Sequence, residues 1–309
     1  MVLKERLANI NNPSGLKNIM FEGSFVAIVT PFKNGKVDAK ALKGLIEFHI
    51  KNGTNGIVPC GTTGESATLD HQEHEEVIRI AVDTCEGRLP VLAGTGSNST
   101  HEAIELTLTA QQLGADGALL ITPYYNKPTQ EGLYQHFAAV AKETKLPIVL
   151  YNVPSRTSIN MLPATVARLS EIENIVGIKE ASGNLVQVSE IIKSCGPAFE
   201  VISGEAALTW PILALGGKGV LSVTANLVPD KFAQLCSAAL AGDMETARSV
   251  HYELMKLNDI MFIETNPIPV KTALAIMGRI DNEFRAPLCA PSENNLAALQ
   301  SVLKEYSLA

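Results

Sequence analysis

Residues 117–151 read GALLITPYYNKPTQEGLYQHFAAVAKETKLPIVLY: a short apolar run (117–121), an amphipathic stretch of helical length (131–143), and a second apolar run (147–151). That is one strand, its crossover helix and the next strand, a βα unit of about thirty residues. The alternation continues in both directions. Further apolar runs lie at 25–30, 56–59 and 90–93 upstream and at 175–179, 200–203 and 219–223 downstream, most with Gly, Pro, Asn or Asp close by. Helical patterns fill the gaps at 39–51, 72–84, 100–113, 163–170, 185–193, 208–215 and 229–240. Eight strands, apolar nearly throughout and each followed by a helix, predict a parallel sheet covered by helices and closed as an α/β (β/α)8 TIM barrel. The rival, an open doubly wound sheet, needs a glycine-rich dinucleotide turn after its first strand. Here Gly94-Thr95-Gly96 follows the third, and its spacing fails at Ser99.

Beyond residue 241 the strand pattern stops. Helical pattern continues over 244–262, 269–277 and 293–304, with Asn266-Pro267-Ile268-Pro269 as a break. The expected division is an N-terminal extension (1–19), a catalytic barrel (20–241) and a C-terminal helical region (242–309). Residues 1–20 lack the apolar stretch and small-residue cleavage site of a secretion signal.

Composition narrows the function. With 46% hydrophobic and 18% charged residues and no apolar run near eighteen, the chain reads as globular, with no membrane span. A net charge of −7 repels polyphosphate, so nucleic acid is not an expected partner. The five cysteines are scattered without a C-x-x-C pair, which speaks against a disulfide framework or zinc knuckle and for a reducing cytoplasm. No metal is expected: His71 and His74 stand at i,i+3, and a solvated helix start explains them better than a zinc pair.

Barrel chemistry comes from the C-terminal ends of the strands. Lys145 and Lys218 lie at strand starts, whereas Lys179 caps the sixth strand's far end. Period-two alternation puts Gly177 and Lys179 on one face, with Val176 and Ile178 on the other. If the first face looks inward, Gly177 leaves room and the Lys179 amine is desolvated, hence available as a nucleophile toward a carbonyl. Position alone does not separate this from a lysine leaving its strand for solvent. Gly61-Thr62-Thr63-Gly64 offers N–H groups and hydroxyls to a small carboxylate, or is only a threonine-capped glycine turn. Tyr125 and Tyr151 bring phenols to the same rim as walls or acid–base groups. Arg156 is either a carboxylate clamp or a solvated loop residue. Taken together, these groups describe keto-acid chemistry through an imine.

The motifs GTTGESATL, TPYYNKP, YNVPSRT, GIKEASGN and GVLSVTAN carry a close resemblance to the dihydrodipicolinate synthase family of the pyruvate-dependent class I aldolases, over about residues 20–300. Met20-Phe21-Glu22-Gly23 resembles the usual family start. The resemblance implies a lyase (EC 4.3.3.7) in which Lys179 condenses with pyruvate and the enamine attacks the aldehyde of L-aspartate 4-semialdehyde. Cyclisation then releases 4-hydroxy-tetrahydrodipicolinate, a precursor of lysine and meso-diaminopimelate. No cofactor is implied beyond the covalent imine. Tyr151, Thr62 and Tyr125 would relay protons, Thr63 would bind the pyruvate carboxylate, Gly204 and Leu221 would line the pocket, and Arg156 would hold the semialdehyde carboxylate. The family forms a homotetramer of two tight dimers, in which the residue matching Tyr125 completes the neighbouring subunit's site. Ser66, Ala67, His71, His74, Asn98, Glu102 and Tyr124 match the effector site of members inhibited by L-lysine. The alternative is another aldolase of the superfamily, such as N-acetylneuraminate lyase or a 2-keto-3-deoxy-sugar-acid aldolase. Arg156 discriminates, because a polyhydroxylated sugar favours neutral hydrogen-bonding groups.

Overall fold

A computed structural model describes residues 21–309. The expected extension and its Met20 boundary lie outside the described residues. Eight parallel strands form the sheet: β1 (Gly23–Ala27), β2 (Gly56–Val58), β3 (Leu92–Gly94), β4 (Gly117–Ile121), β5 (Ile148–Asn152), β6 (Ile175–Glu180), β7 (Glu200–Ser203) and β8 (Gly219–Ser222). Their spatial order is β2-β1-β8-β7-β6-β5-β4-β3. The ring closes between β2 and β3, where Ile57 bridges Val91 and the Ile57 and Gly94 amides donate to Pro90 O (3.0 Å) and Pro59 O (2.9 Å).

Helices α1 (Ala39–Lys51), α2 (His71–Cys85), α3 (Thr100–Gln112), α4 (Gln130–Glu143), α5 (Pro163–Leu169), α6 (Leu185–Cys195), α7 (Thr209–Ala214) and α8 (Pro229–Leu240) follow the strands in turn. Most carry their start signal in the sequence. Asp38, Ser99, Thr129 and Asn184 each accept a backbone N–H of the first turn, and Asp70 with Glu73 forms a capping box on α2.

The sheet is buried on both faces, which is why its strands read as continuous apolar runs. Phe25, Leu119, Val149, Ile202 and Leu221 fill the barrel, while Ile57, Leu120, Ile148 and Ile178 face the helices. Two small elements were not anticipated. Asn34-Gly35, both at positive φ, turns a hairpin of Phe32–Lys33 with Lys36–Val37, and Pro154–Thr157 makes a single helical turn after β5.

One expectation of register needs correction. Ile148 pairs with Ile175 but Val149 with Gly177, so β6 bulges at Val176. Val176 consequently packs with the barrel interior while Ile178 faces the helices, and the two do not share a face. Nor is Gly177 small in order to make room for the lysine. A Cβ there would lie 2.5 Å from the backbone oxygen of Glu200 on β7, so the glycine permits close strand approach.

Three further helices, α9 (Met244–Ile260), α10 (Ile268–Ile276) and α11 (Glu293–Glu305), follow the barrel. The break expected at Asn266-Pro267-Ile268-Pro269 falls between α9 and α10, which begins at Ile268; Pro269 sits in the first turn of α10, where its missing N–H is tolerated. No described helix is long and apolar enough to cross a membrane.

Candidate active site

Strand register brings the central pair together. Lys179 on β6 lies opposite Tyr151 on β5, with its Nζ 4.0 Å from the centre of the tyrosine ring. Both side chains are buried, at 6% and 7% exposure, so the reading of Lys179 as a solvated strand end falls. Burial, aided by the Arg156 charge, lowers the lysine pKa to about 7, despite the ring face that favours ammonium. The amine is therefore neutral in a large fraction of molecules near neutral pH. Gly204 gives it space: a Cβ at that position would meet Ala181 Cβ at 2.6 Å and Lys179 Cε at 3.2 Å.

The Tyr151 phenol is held above its usual pKa by burial, opposed by Arg156 and by a hydrogen bond with Thr62. Thr62 and Thr63 ride on a turn flanked by two left-handed residues, Cys60 (φ 56°) and Glu65 (φ 52°). Gly64 and Glu65 spend their amides on Gly61 O and Thr62 O, and Thr30 Oγ1 donates to Gly64 O at 2.7 Å. The Thr62 and Thr63 amides have no acceptor among the described residues, as an anion cradle requires. Across the mouth, Arg156 sits on the Pro154–Thr157 turn and donates from Nη2 to Asn266 O at 3.2 Å.

Lys179, Tyr151, Thr62, Thr63, Arg156, Gly204 and Leu221, all anticipated from the sequence, line one cavity of about 590 Å³. Tyr125 does not join them. It stands at the tip of the β4 loop at φ 71°, 89% exposed. Sequence reasoning missed three other contributors. Glu205 lines the cavity with its carboxyl raised by burial and by nearby Glu180. Asn266 donates from Nδ2 to Thr63 Oγ1 at 3.0 Å, and Asn258 on α9 is buried in the wall with its amide unpartnered. Glu205 has a local signal, since it follows the C-terminal end of β7 (Glu200–Ser203), whereas Asn258 and Asn266 have none.

A second cavity, of about 540 Å³, is lined by Ser66, Ala67, His71, His74, Glu102 and Tyr124 and shares Thr62, Tyr151 and Asn266 with the first. His71 Nε2 lies 3.2 Å from Glu102 Oε1, and Ser97 donates to the same carboxylate through a short bond. These contacts hold the Glu102 pKa below its usual value, the Ser97 bond foremost. His74 is no solvated helix start: it is buried, with Nε2 2.9 Å from Gly94 O, and burial lowers its pKa. Asn98 lies beside this cavity and donates to Tyr124 O at 3.2 Å. Among the described residues no group of three His, Cys, Asp or Glu is placed to hold a metal ion.

A family model described as the dihydrodipicolinate synthetase family matches residues 20–306. The 4-hydroxy-tetrahydrodipicolinate synthase of Thermodesulfovibrio yellowstonii is 61% identical over 289 residues, 94% of this chain and 99% of that one. The chloride-inhibited dihydrodipicolinate synthase of Acinetobacter baumannii, solved with pyruvate, is 47% identical with a TM-score of 0.92, covering 94% of this chain and 100% of that one. The enzyme of Cyanidioschyzon merolae, solved with lysine bound, is 40% identical with a TM-score of 0.91, covering 94% and 99%.

Proposed function

The chain belongs to the dihydrodipicolinate synthetase family, and from that premise we infer that it is a lyase condensing pyruvate with L-aspartate 4-semialdehyde through an imine on Lys179, the reaction of 4-hydroxy-tetrahydrodipicolinate synthases. The observation that carries the mechanism is the Lys179 amine, buried against Tyr151 with its pKa lowered to about 7. The neutral amine attacks the keto carbon of pyruvate while the carboxylate rests on Thr63 and the turn amides. Loss of water from the carbinolamine leaves an iminium, whose positive charge draws off a methyl proton to give the enamine, so the electron sink is the imine itself. Tyr151 and Thr62, already hydrogen-bonded, move these protons beside the buried Lys179 amine. The enamine carbon then bonds to the aldehyde carbon of the semialdehyde, its carboxylate held by Arg156. The substrate amino group displaces lysine from the imine carbon, closing the ring and regenerating the amine.

Tyr125, exposed in one chain, completes the relay of a second copy in a homotetramer built from two tight dimers. The second cavity takes L-lysine, whose ammonium suits Glu102, and its shared wall of Thr62 and Tyr151 gives a direct route for feedback. The catalytic barrel of a cytoplasmic enzyme, described from residue 21, runs to 241, and 242–309 form a helical region that closes one side of the cavity through Asn258 and Asn266.

Competition between aldehydes tests the assignment. With pyruvate saturating, L-aspartate 4-semialdehyde is consumed at least about 100-fold more efficiently than sugar-derived aldehydes lacking a carboxylate, as loss of a bidentate charged contact implies. Equal use of both removes the assignment.

A further inference from the structure

The turn that carries Thr62 and Thr63 is fastened from the C-terminal region at two points. Asn266 holds the Thr63 hydroxyl at 3.0 Å. Five residues on, in α10, Lys271 reaches back to Glu65 at the end of the turn, 206 positions away, in a short ion pair with both side chains at 0% exposure. The other oxygen of Glu65 accepts the Arg285 amide at 3.2 Å, and the Lys271 ammonium lies 4.2 Å and 5.3 Å from the ring centres of Phe32 and Phe284. Neither charge touches the cavity that holds Lys179.

Burying two charges is a poor way to gain stability, because apolar residues of similar volume often do as well or better. What the pair does fix is geometry. Glu65 is a non-glycine residue at φ 52°, a conformation that persists only where its surroundings over-determine it. Its backbone closes the turn through the bond from Glu65 N to Thr62 O at 3.1 Å. We propose that Lys271 and Glu65 are positioning residues for pyruvate: the buried pair locks the left-handed end of the Gly61–Glu65 turn and so holds the Thr63 cradle and the Thr62 relay hydroxyl in register with Lys179. The proposal rests on the reading of Lys179 as the imine-forming amine.

The test compares the wild-type protein with Lys271→Met and with the charge-balanced double variant Lys271→Met/Glu65→Gln. Melting temperature, KM for each substrate and the pyruvate dependence of borohydride labelling at Lys179 are measured for all three. A purely structural pair predicts that the double variant recovers both stability and wild-type kinetics. Positioning predicts a double variant that melts within a few degrees of wild type, with the KM for pyruvate and the half-saturating pyruvate for labelling both raised about 10-fold, and the KM for semialdehyde within about two-fold. A folded double variant with wild-type pyruvate kinetics overturns the proposal alone. A wild-type protein unlabelled at Lys179 overturns the reading beneath it. Should neither variant fold, amide exchange of the wild-type protein decides: the proposal requires the hydrogen-bonded amides of Gly64, Glu65 and Ser66 and those of 271–276 to lose protection in one step with denaturant, and separate steps overturn it.

Discussion

Replacing Lys179 by methionine removes the proposed nucleophile and should make the protein more stable. The native lysine titrates near 7, against 10.5 for the unshifted group. Each unit of difference corresponds to about 1.4 kcal/mol, so holding this amine in the barrel costs roughly 5 kcal/mol at pH 6, where the free side chain would be charged. Between about pH 7 and 10.5 the unfolded chain binds the proton and the native chain does not, so this group's contribution to stability rises with pH through that window. Below 7 both states bind it and the full penalty stands. Methionine fills a similar volume without a charge. The expected result in urea denaturation is a Lys179→Met protein more stable than wild type by about 3–6 kcal/mol at pH 6, narrowing to about 1 kcal/mol at pH 10. Taking the difference between the two proteins cancels the other groups that ionise in this range. A variant no more stable than wild type, or a gap that does not change with pH, refutes the claim that desolvation holds the amine neutral.

Arg156→Ala should lower kcat/KM for the semialdehyde about 10–100-fold while pyruvate still labels Lys179; because Arg156 also depresses the lysine pKa, the labelling profile should move to higher pH. Equal loss toward both substrates would count against the clamp. Tyr125→Phe should reduce kcat by about 10² or more although the phenol is 89% exposed in one chain, and unaltered turnover would remove the shared site. Glu102→Gln should raise the lysine concentration needed for half-inhibition about 10-fold or more with kcat within two-fold; a variant of wild-type lysine sensitivity would show that the second cavity does not hold the effector through this carboxylate.

The barrel was legible because a parallel strand buried on both faces has nothing to alternate: 117–121 and 147–151 read as strands without any pattern finer than apolarity. The same property hid the bulge at Val176, since Val and Ile are acceptable on either face and only the neighbouring strand fixes which one they take. Lys179 and the Gly61–Gly64 turn could be found because strand ends are marked locally by a charge or by glycine. Asn266 could not be placed from sequence. Its Asn-Pro surroundings announce a chain break, while the hydroxyl it serves, on Thr63, lies 203 residues away. The Glu65–Lys271 pair is silent for the same reason, each member reading as an ordinary surface charge until the C-terminal region folds back over the turn. His74 shows the reverse case, a residue whose place at a helix start suggested solvent although packing of α2 on β3 buries it.

The proposed chemistry turns on a covalent link between Lys179 and pyruvate, and reductive trapping measures that link directly. Borohydride added to the protein with pyruvate should raise the chain mass by one reduced pyruvate adduct, abolish turnover, and map to the peptide containing Lys179. Label on another residue, or an unchanged mass with full activity retained, would contradict the mechanism.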